Sequence, residues 1–221
     1  MLKINHKYPY RPLERVDSPE GRRYLVNGQA LPSVTTILSA TRDNTHLDEW
    51  IRAVGKTEAD RICTQSSNIG SGMHSNLENY VLGNPMSGSV MEKSLAQLIV
   101  RKGLAHVDEV WGSEVAVYSE GLYAGTADLI GMHMGIPSII DFKNSRNHKP
   151  KAHIEGYFMQ CAAYALAHNE MFGTDIQRGV IMIANQDGRY QEFIIESDEF
   201  QHYALKWASA VEEFFGKYQA R

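Results

Sequence analysis

Two short apolar runs, Ala124 to Ile130 and Ile139 to Phe142, each carry an aspartate where an apolar strand would not ordinarily accept one. In Ile139-Ile140-Asp141-Phe142-Lys143, strand geometry projects Asp141 and Lys143 from one face and turns Ile140 and Phe142 toward a core on the other. In Gly125-Thr126-Ala127-Asp128 the aspartate interrupts the earlier run. Gly131 and Gly135 bracket a segment from Met132 to Pro137 that can turn the chain back, so a hairpin is expected to set Asp128 beside Asp141. A chain built this way needs a sheet whose strands carry charge at their ends.

The residue types suggest a chemistry. Two carboxylates offer hard anionic oxygens to Mg2+ or Mn2+ and leave positions open for water and a phosphate oxygen. An ammonium beside them can orient that water or offset charge growing on phosphorus. Lys143 follows an apolar strand residue, and lysine is costly to bury alone, so Asp141 is its expected partner. Taken singly, an Asp at a strand end is more often a turn or cap residue, and Asp-x-Lys occurs by chance. The ordered combination, continued downstream, is more specific.

Ala152 to Asn169 reads as a helix, with Phe158, Cys161, Ala162, Ala165 and Leu166 as its apolar stripe. Gln160 and Tyr164 lie one turn apart on it, either as a half-buried pair or as an amide and a ring offered to a nucleic-acid strand. Upstream, Ile69 to Glu78 contains Gly70-x-x-x-His74-x-x-x-Glu78 on a helix running to about Leu82 and closed by Gly83 and Asn84-Pro85. Met73, Leu77 and Val81 make the neighbouring apolar stripe, which places His74 near the core boundary. For a single histidine, a core position satisfied by a backbone carbonyl is the commoner outcome.

Gly-x-x-Asp, Asp-x-Lys, the Gln-x-x-x-Tyr helix and the upstream helical histidine together resemble the RecB-type branch of the PD-(D/E)xK nuclease superfamily. That branch includes phage exonucleases and the mitochondrial genome maintenance exonuclease. The resemblance runs from about Ser33 to Leu166 and takes in Pro32-Ser33-Val34-Thr35-Thr36-Ile37-Leu38. It implies Asp128, Asp141 and Lys143 as catalytic residues, with His74, Asp128, Asp141 and the backbone carbonyl of Phe142 as metal ligands. Relatives carry a glutamate on the first core strand, and Glu114 stands in a strand-like alternation from Val110 to Tyr118. Glu114 either holds a second metal, touches the first through water, or faces solvent. Ala127 replaces the proline that names the superfamily, as is common in this branch. Two cysteines cannot supply the four thiolates of the iron-sulfur cluster that some relatives hold.

Ser145, Arg146, His148, Lys149 and Lys151 form the most basic cluster, either a solvated loop or a grip on backbone phosphates. The expected DNA-binding set is Gln160, Tyr164, Ser145, Arg146, Lys149 and Lys151. The net charge of -4 argues against a nucleic-acid partner, but whole-chain charge is a poor guide where a site concentrates carboxylates that a bound metal would offset. Charge is uneven: Lys3, Lys7, Arg11, Arg15, Arg22 and Arg23 make the start basic, while Glu192, Glu196, Asp198, Glu199, Glu212 and Glu213 make the end acidic.

At 221 residues, 43% of them hydrophobic, the chain can bury a full core but not a fused motor. No G-x-x-x-x-G-K-[ST] occurs, so no nucleotide cofactor is expected and any helicase or single-strand-binding protein is a separate partner. No stretch approaches the roughly 20 apolar residues of a membrane span. Met1 to Tyr10 is polar and mixed, and Glu14, Asp17 and Glu20 interrupt any transit-like pattern. These features set the expectation of a cytoplasmic protein in a bacterium or phage-infected host.

The organisation expected is one domain over 1–221, an α/β PD-(D/E)xK core with a central mixed sheet flanked by helices. A mainly helical N-terminal layer over 1–105 precedes the catalytic core at 106–221. Asn27-Gly28 marks a hairpin, and a helical region from about Leu47 to Val100 breaks at Gly83 to Gly88. Sheet strands follow over Val107 to Lys143, Val180 to Ala184 and Tyr190 to Ile195. Ser197 is the expected N-cap of a last helix whose stripe is Phe200, Trp207, Val211 and Phe214. The function expected is a Mg2+- or Mn2+-dependent DNA exonuclease acting on single-stranded ends. The alternatives are a structure-specific endonuclease on the same core and a DNA-binding recombination accessory that does not cut.

Overall fold

A computed structural model describes residues 2–219. The N-terminal part opens with an antiparallel meander, β1 (Glu14–Ser18), β2 (Gly21–Val26) and β3 (Gln29–Pro32). The expected turn joins the last two: Asn27 and Gly28 both have positive φ, 50° and 83°, as a two-residue hairpin turn of this twist requires. Four helices follow: α1 (Val34–Thr41), α2 (Thr45–Val54), α3 (Lys56–Leu82) and α4 (Val90–Lys102). The expected break lies between α3 and α4, where Gly83 closes α3 in the left-handed conformation. A further break falls at Gly55, at φ 84°.

The main sheet has the order β4-β5-β6-β7-β8. Its strands are β4 (Val107–Ser119), β5 (Tyr123–His133), β6 (Ile136–Ser145), β7 (Arg178–Asn185) and β8 (Tyr190–Glu196). All neighbours are antiparallel except β6 and β7, which run parallel. A parallel pair needs a crossover, and α5 (Glu155–Phe172) supplies it. This helix starts three residues later than the sequence suggests, because a single 3-10 turn, Lys151–His153, follows Pro150 first. The last helix, α6 (Ser197–Gln219), includes Ser197 as its first residue, and that serine takes a left-handed φ of 52° at the strand-to-helix corner.

Alternation along β6 explains how the sheet is covered on both faces. Ile139 belongs with Ile181 and Ile183 to the core under α5 and α6, where Phe158, Cys161, Trp207 and Phe214 pack. Ile140 and Phe142 belong to the opposite core, with Met73, Leu77 and Val81 of α3 and Leu95 and Ile99 of α4. A strand buried on both faces reads as a near-continuous apolar run, as Val180 to Ala184 of β7 does. The residues ahead of β1 lie along β4: the backbone N–H of Asn5 donates to the Val110 carbonyl, that of Val110 donates to the Lys3 carbonyl, and the Lys3 ammonium pairs with Glu109 at 2.6 Å. Among the described residues no helix is long and apolar enough to cross a membrane.

Candidate active site

The β5–β6 ladder pairs Leu129 with Ile140 and stops there, so Asp128 and Asp141 occupy the next facing positions as the two strands part. The Asp128 carboxylate fills the gap: its Oδ2 accepts the backbone N–H of Phe142 at 2.7 Å. β6 meanwhile stays paired with β7 as far as Ser145 and Asn185, so only one side of it opens. Lys143 donates to Asp141 Oδ1 at 2.7 Å, and Oδ2, 2.6 Å from the ammonium, is held by charge without hydrogen-bond geometry. The ammonium also lies 5.0 Å from the centroid of the Tyr157 ring on α5.

Two further groups reach the same point from other elements. α3 presents His74, whose Nδ1 lies 3.5 Å from Asp128 Oδ1 and 3.5 Å from Glu114 Oε1. On β4, Ser113 pairs with Leu129 and Val115 with Ala127, which sets Glu114 opposite Asp128. Glu114 has φ 50°, a conformation that a residue with a Cβ adopts only at some cost, next to an irregular stretch of ladder between Val110 and Gly112. Ligand atoms of His74, Glu114 and Asp128 all lie within 4.8 Å of one another. One imidazole nitrogen and carboxylate oxygens at this spacing fit a small divalent cation.

Burial and mutual charge set the ionisation of the group. Burial pushes the Asp128 carboxyl up, but the charge and hydrogen bond of His74, together with Lys143 and the Phe142 amide, hold it below the usual carboxylate range. Burial raises Asp141, Lys143 opposes it and the charge of Asp128 adds to it, leaving Asp141 at about 6. Burial alone would lower His74, yet Asp128 and Glu114 carry it up to about 10. Lys143 loses solvation and is nevertheless raised, by Asp141 and Asp128. In this state two cations, imidazolium and ammonium, balance the buried carboxylates.

The cleft around these groups has a volume of about 510 Å³. One face of α3 lines it with Ser66, Ser67, Gly70, Ser71, His74, Ser75 and Glu78, residues at helical spacing and mostly small. Asn144 of β6 fastens that helix: its Nδ2 donates to the Ser66 carbonyl at 3.2 Å, and its Oδ1 lies 2.9 Å from where a Cβ on Gly70 would stand. Gln160 and Tyr164 line the cleft from α5, hydrogen-bonded to each other at 3.1 Å. Both are buried, and the Tyr164 ring lies against Gly125, 2.6 Å from the position a Cβ would take. Gly125 is therefore small because a ring occupies the space above it.

The basic loop is placed otherwise. Ser145 is buried and donates to the Asn147 carbonyl, the Lys149 backbone exchanges hydrogen bonds with the Gln191 side chain, and Lys151 pairs with Glu199 at 2.6 Å. Arg146 reaches α3, donating to Gln65 at 2.9 Å. None of these four lines the cleft. The cationic groups that do line it besides His74 and Lys143 are Arg15 and Arg22, together with Tyr24, Ser33 and Thr35. In the sequence these arginines register only as part of a basic start. Their strands are short, and no motif marks them.

No family model matches the sequence, and none of the curated proteins does. Solved structures do resemble the fold. A candidate exonuclease from Eubacterium rectale is 13% identical with a TM-score of 0.43, over 86% of this chain and 75% of that one. SSO0001 is 15% identical with a TM-score of 0.41, over 82% of this chain and 84% of that one. At these values the chemistry of the cleft rests on its own residues.

Proposed function

We propose that this chain is a metal-dependent nuclease of the PD-(D/E)xK type that hydrolyses phosphodiester bonds in DNA. The observation that carries the reading is the meeting of His74, Glu114 and Asp128 within 4.8 Å, beside the ion pair of Lys143 with the buried Asp141. Structural ion pairs seldom gather this many acids with an imidazole at the open end of a parted sheet, because each buried charge costs several kcal/mol unless it is compensated. Perturbed acids clustered in a cleft point to a functional site.

His74, Glu114 and Asp128 are the donors that converge, and Asp141 with the Phe142 carbonyl completes the proposed set. A bound Mg2+ or Mn2+ would supply a Lewis acid and an acidified water. Asp128 keeps its second oxygen on the Phe142 amide and so presents its first in a fixed direction. Asp141 holds the Lys143 ammonium in place, and the ammonium stabilises negative charge developing on the phosphate. Asn144 and the small face of α3 let the helix that carries His74 sit close to β6.

Single-stranded ends are the proposed substrate and exonucleolytic cleavage the proposed mode. The test is digestion of end-labelled linear and circular single-stranded DNA with Mg2+, Mn2+ or EDTA, using the wild type and Asp128→Asn. Metal-dependent loss of the linear strand alone, absent in the variant, is the expected result. Cutting of circles would replace the exonuclease by an endonuclease at the same site, and intact strands under every condition would overturn the nuclease reading.

A further inference from the structure

The cleft has a neighbour: a second cavity of about 550 Å³ shares Arg22 and Thr35 with it as a common wall. The second cavity is shallow and open to solvent, with Asp17, Ser18, Glu20, Thr36 and Ser39 among its lining residues. Arg22 is braced from behind. Its carbonyl accepts the Ser33 N–H at 2.9 Å and the Thr36 hydroxyl at 3.0 Å, both from the start of α1. Gly21, at φ 116°, brings the hairpin so near that a Cβ there would stand 2.6 Å from the Thr36 methyl carbon.

Arg15 and Arg22 stand on adjacent strands and converge on one acid. Arg15 donates to Asp17 Oδ2 from Nε at 2.9 Å and Nη2 at 2.6 Å, and Arg22 donates from Nε to Oδ1 at 3.2 Å. One carboxylate between two guanidiniums leaves net positive charge and N–H donors to spare, since each guanidinium has five. All three side chains are open to solvent, with exposures of 48% for Arg15, 37% for Arg22 and 57% for Asp17. The two guanidiniums thus line the same cleft as Glu78, Glu114 and Asp128.

We infer that Arg15 and Arg22 are a phosphate rail for a nucleic-acid strand, which runs from the carboxylate cluster across the shared wall into the second cavity. This rests on the nuclease reading and adds to it where the uncut part of the substrate lies. A single small anion would occupy one guanidinium. A chain of linked phosphates can instead extend past the shared wall from one hollow to the other. Planar guanidiniums suit phosphate bidentately, and Asp17 holds the pair oriented until a phosphate takes its place.

The test is fluorescence anisotropy of a labelled 20-nucleotide oligothymidylate in a salt series, on the Asp128→Asn background so that the strand stays whole. Arg15→Gln with Arg22→Gln is expected to weaken binding about tenfold or more. It should also flatten the log–log salt dependence by about 0.7 for each phosphate that the variant no longer neutralises. Asp17→Asn breaks the same ion pairs but frees both guanidiniums, so it is expected to tighten binding. A hairpin that merely needs these pairs for its fold would weaken in both variants, and that result, or unchanged affinity in both, would overturn the rail. Cleavage by the wild type with no effect of the arginines removes the rail and leaves the nuclease. Rail-dependent binding by a wild type that cuts nothing does the reverse, and absence of binding altogether removes both.

Discussion

Asp128 on β5 accepts the amide of Phe142 on β6 at the point where the ladder between the two strands ends. One carboxylate thus has a structural role through one oxygen and, in the proposed reaction, a chemical one through the other, and substitutions can separate the two. Asp128→Asn keeps an acceptor for the buried N–H and is expected to unfold near the wild-type temperature. Asp128→Ala leaves that N–H unpaired and should cost about 1–3 kcal/mol. Both should lose about a thousandfold in nuclease rate. Thermal unfolding beside a digestion assay checks the pair, and an active Asp128→Asn would remove the site assignment.

Metal binding can be read without activity. Mn2+ at a hundred times its dissociation constant should stabilise the native protein by about 2.7 kcal/mol. The same titration should raise the melting temperature of His74→Ala far less. Equal shifts in the two proteins would return His74 to the role of a structural histidine.

Gly125→Ala places a methyl group against the Tyr164 ring, at a position 2.6 Å from it before any relaxation. The ring is buried and bonded to Gln160, so it yields at a cost of about 1–3 kcal/mol. Denaturant unfolding should show that loss. Gly125→Ala with Tyr164→Leu should recover part of it, since the second change vacates the space.

His168, which does not line the cleft, provides a separate pH dependence. Burial, with a smaller contribution from Lys7, lowers its pKa to about 4. Its ring nitrogens sit 2.9 Å from the Tyr10 hydroxyl and 2.8 Å from the Thr174 hydroxyl, partners that suit a neutral imidazole. In the unfolded chain the group titrates near 6.5, so on acidification the unfolded state takes up the proton first. Stability should therefore fall as pH drops from about 6.5 to about 4, by roughly 3 kcal/mol in total. Urea midpoints across that range should show the slope, and His168→Gln should flatten it.

The parts legible in the sequence are those governed by local patterning. Alternation in Ile139 to Lys143, the Asn27-Gly28 turn and the stripe of Phe200, Trp207, Val211 and Phe214 each depend on neighbours a few residues away, and each appears as expected. The meeting of His74 with Asp128 needs more, because the two are far apart along the chain and helical phase alone cannot say which strand a helix will lie across. Glu114 keeps three readings in the sequence, since its direction follows from a left-handed φ beside a bulge that composition does not announce. The basic loop and the arginines of the first hairpin exchange importance for a similar reason. Charge density singles out Ser145 to Lys151, whereas proximity to the carboxylates depends on where β1–β3 docks, through the bridge between Ser33 and Ala124.

Glu114, Asp128, Asp141 and Lys143 all lie on β4, β5 and β6, which are joined by short turns. Contacts close in sequence form ahead of distant ones, so this meander can gather its acids before α3, the first hairpin or β7 arrives. A nascent sheet collecting three carboxylates would repel itself. Here the same three strands also deliver the ammonium that steadies them, so the chain carries its own electrostatic partner through folding.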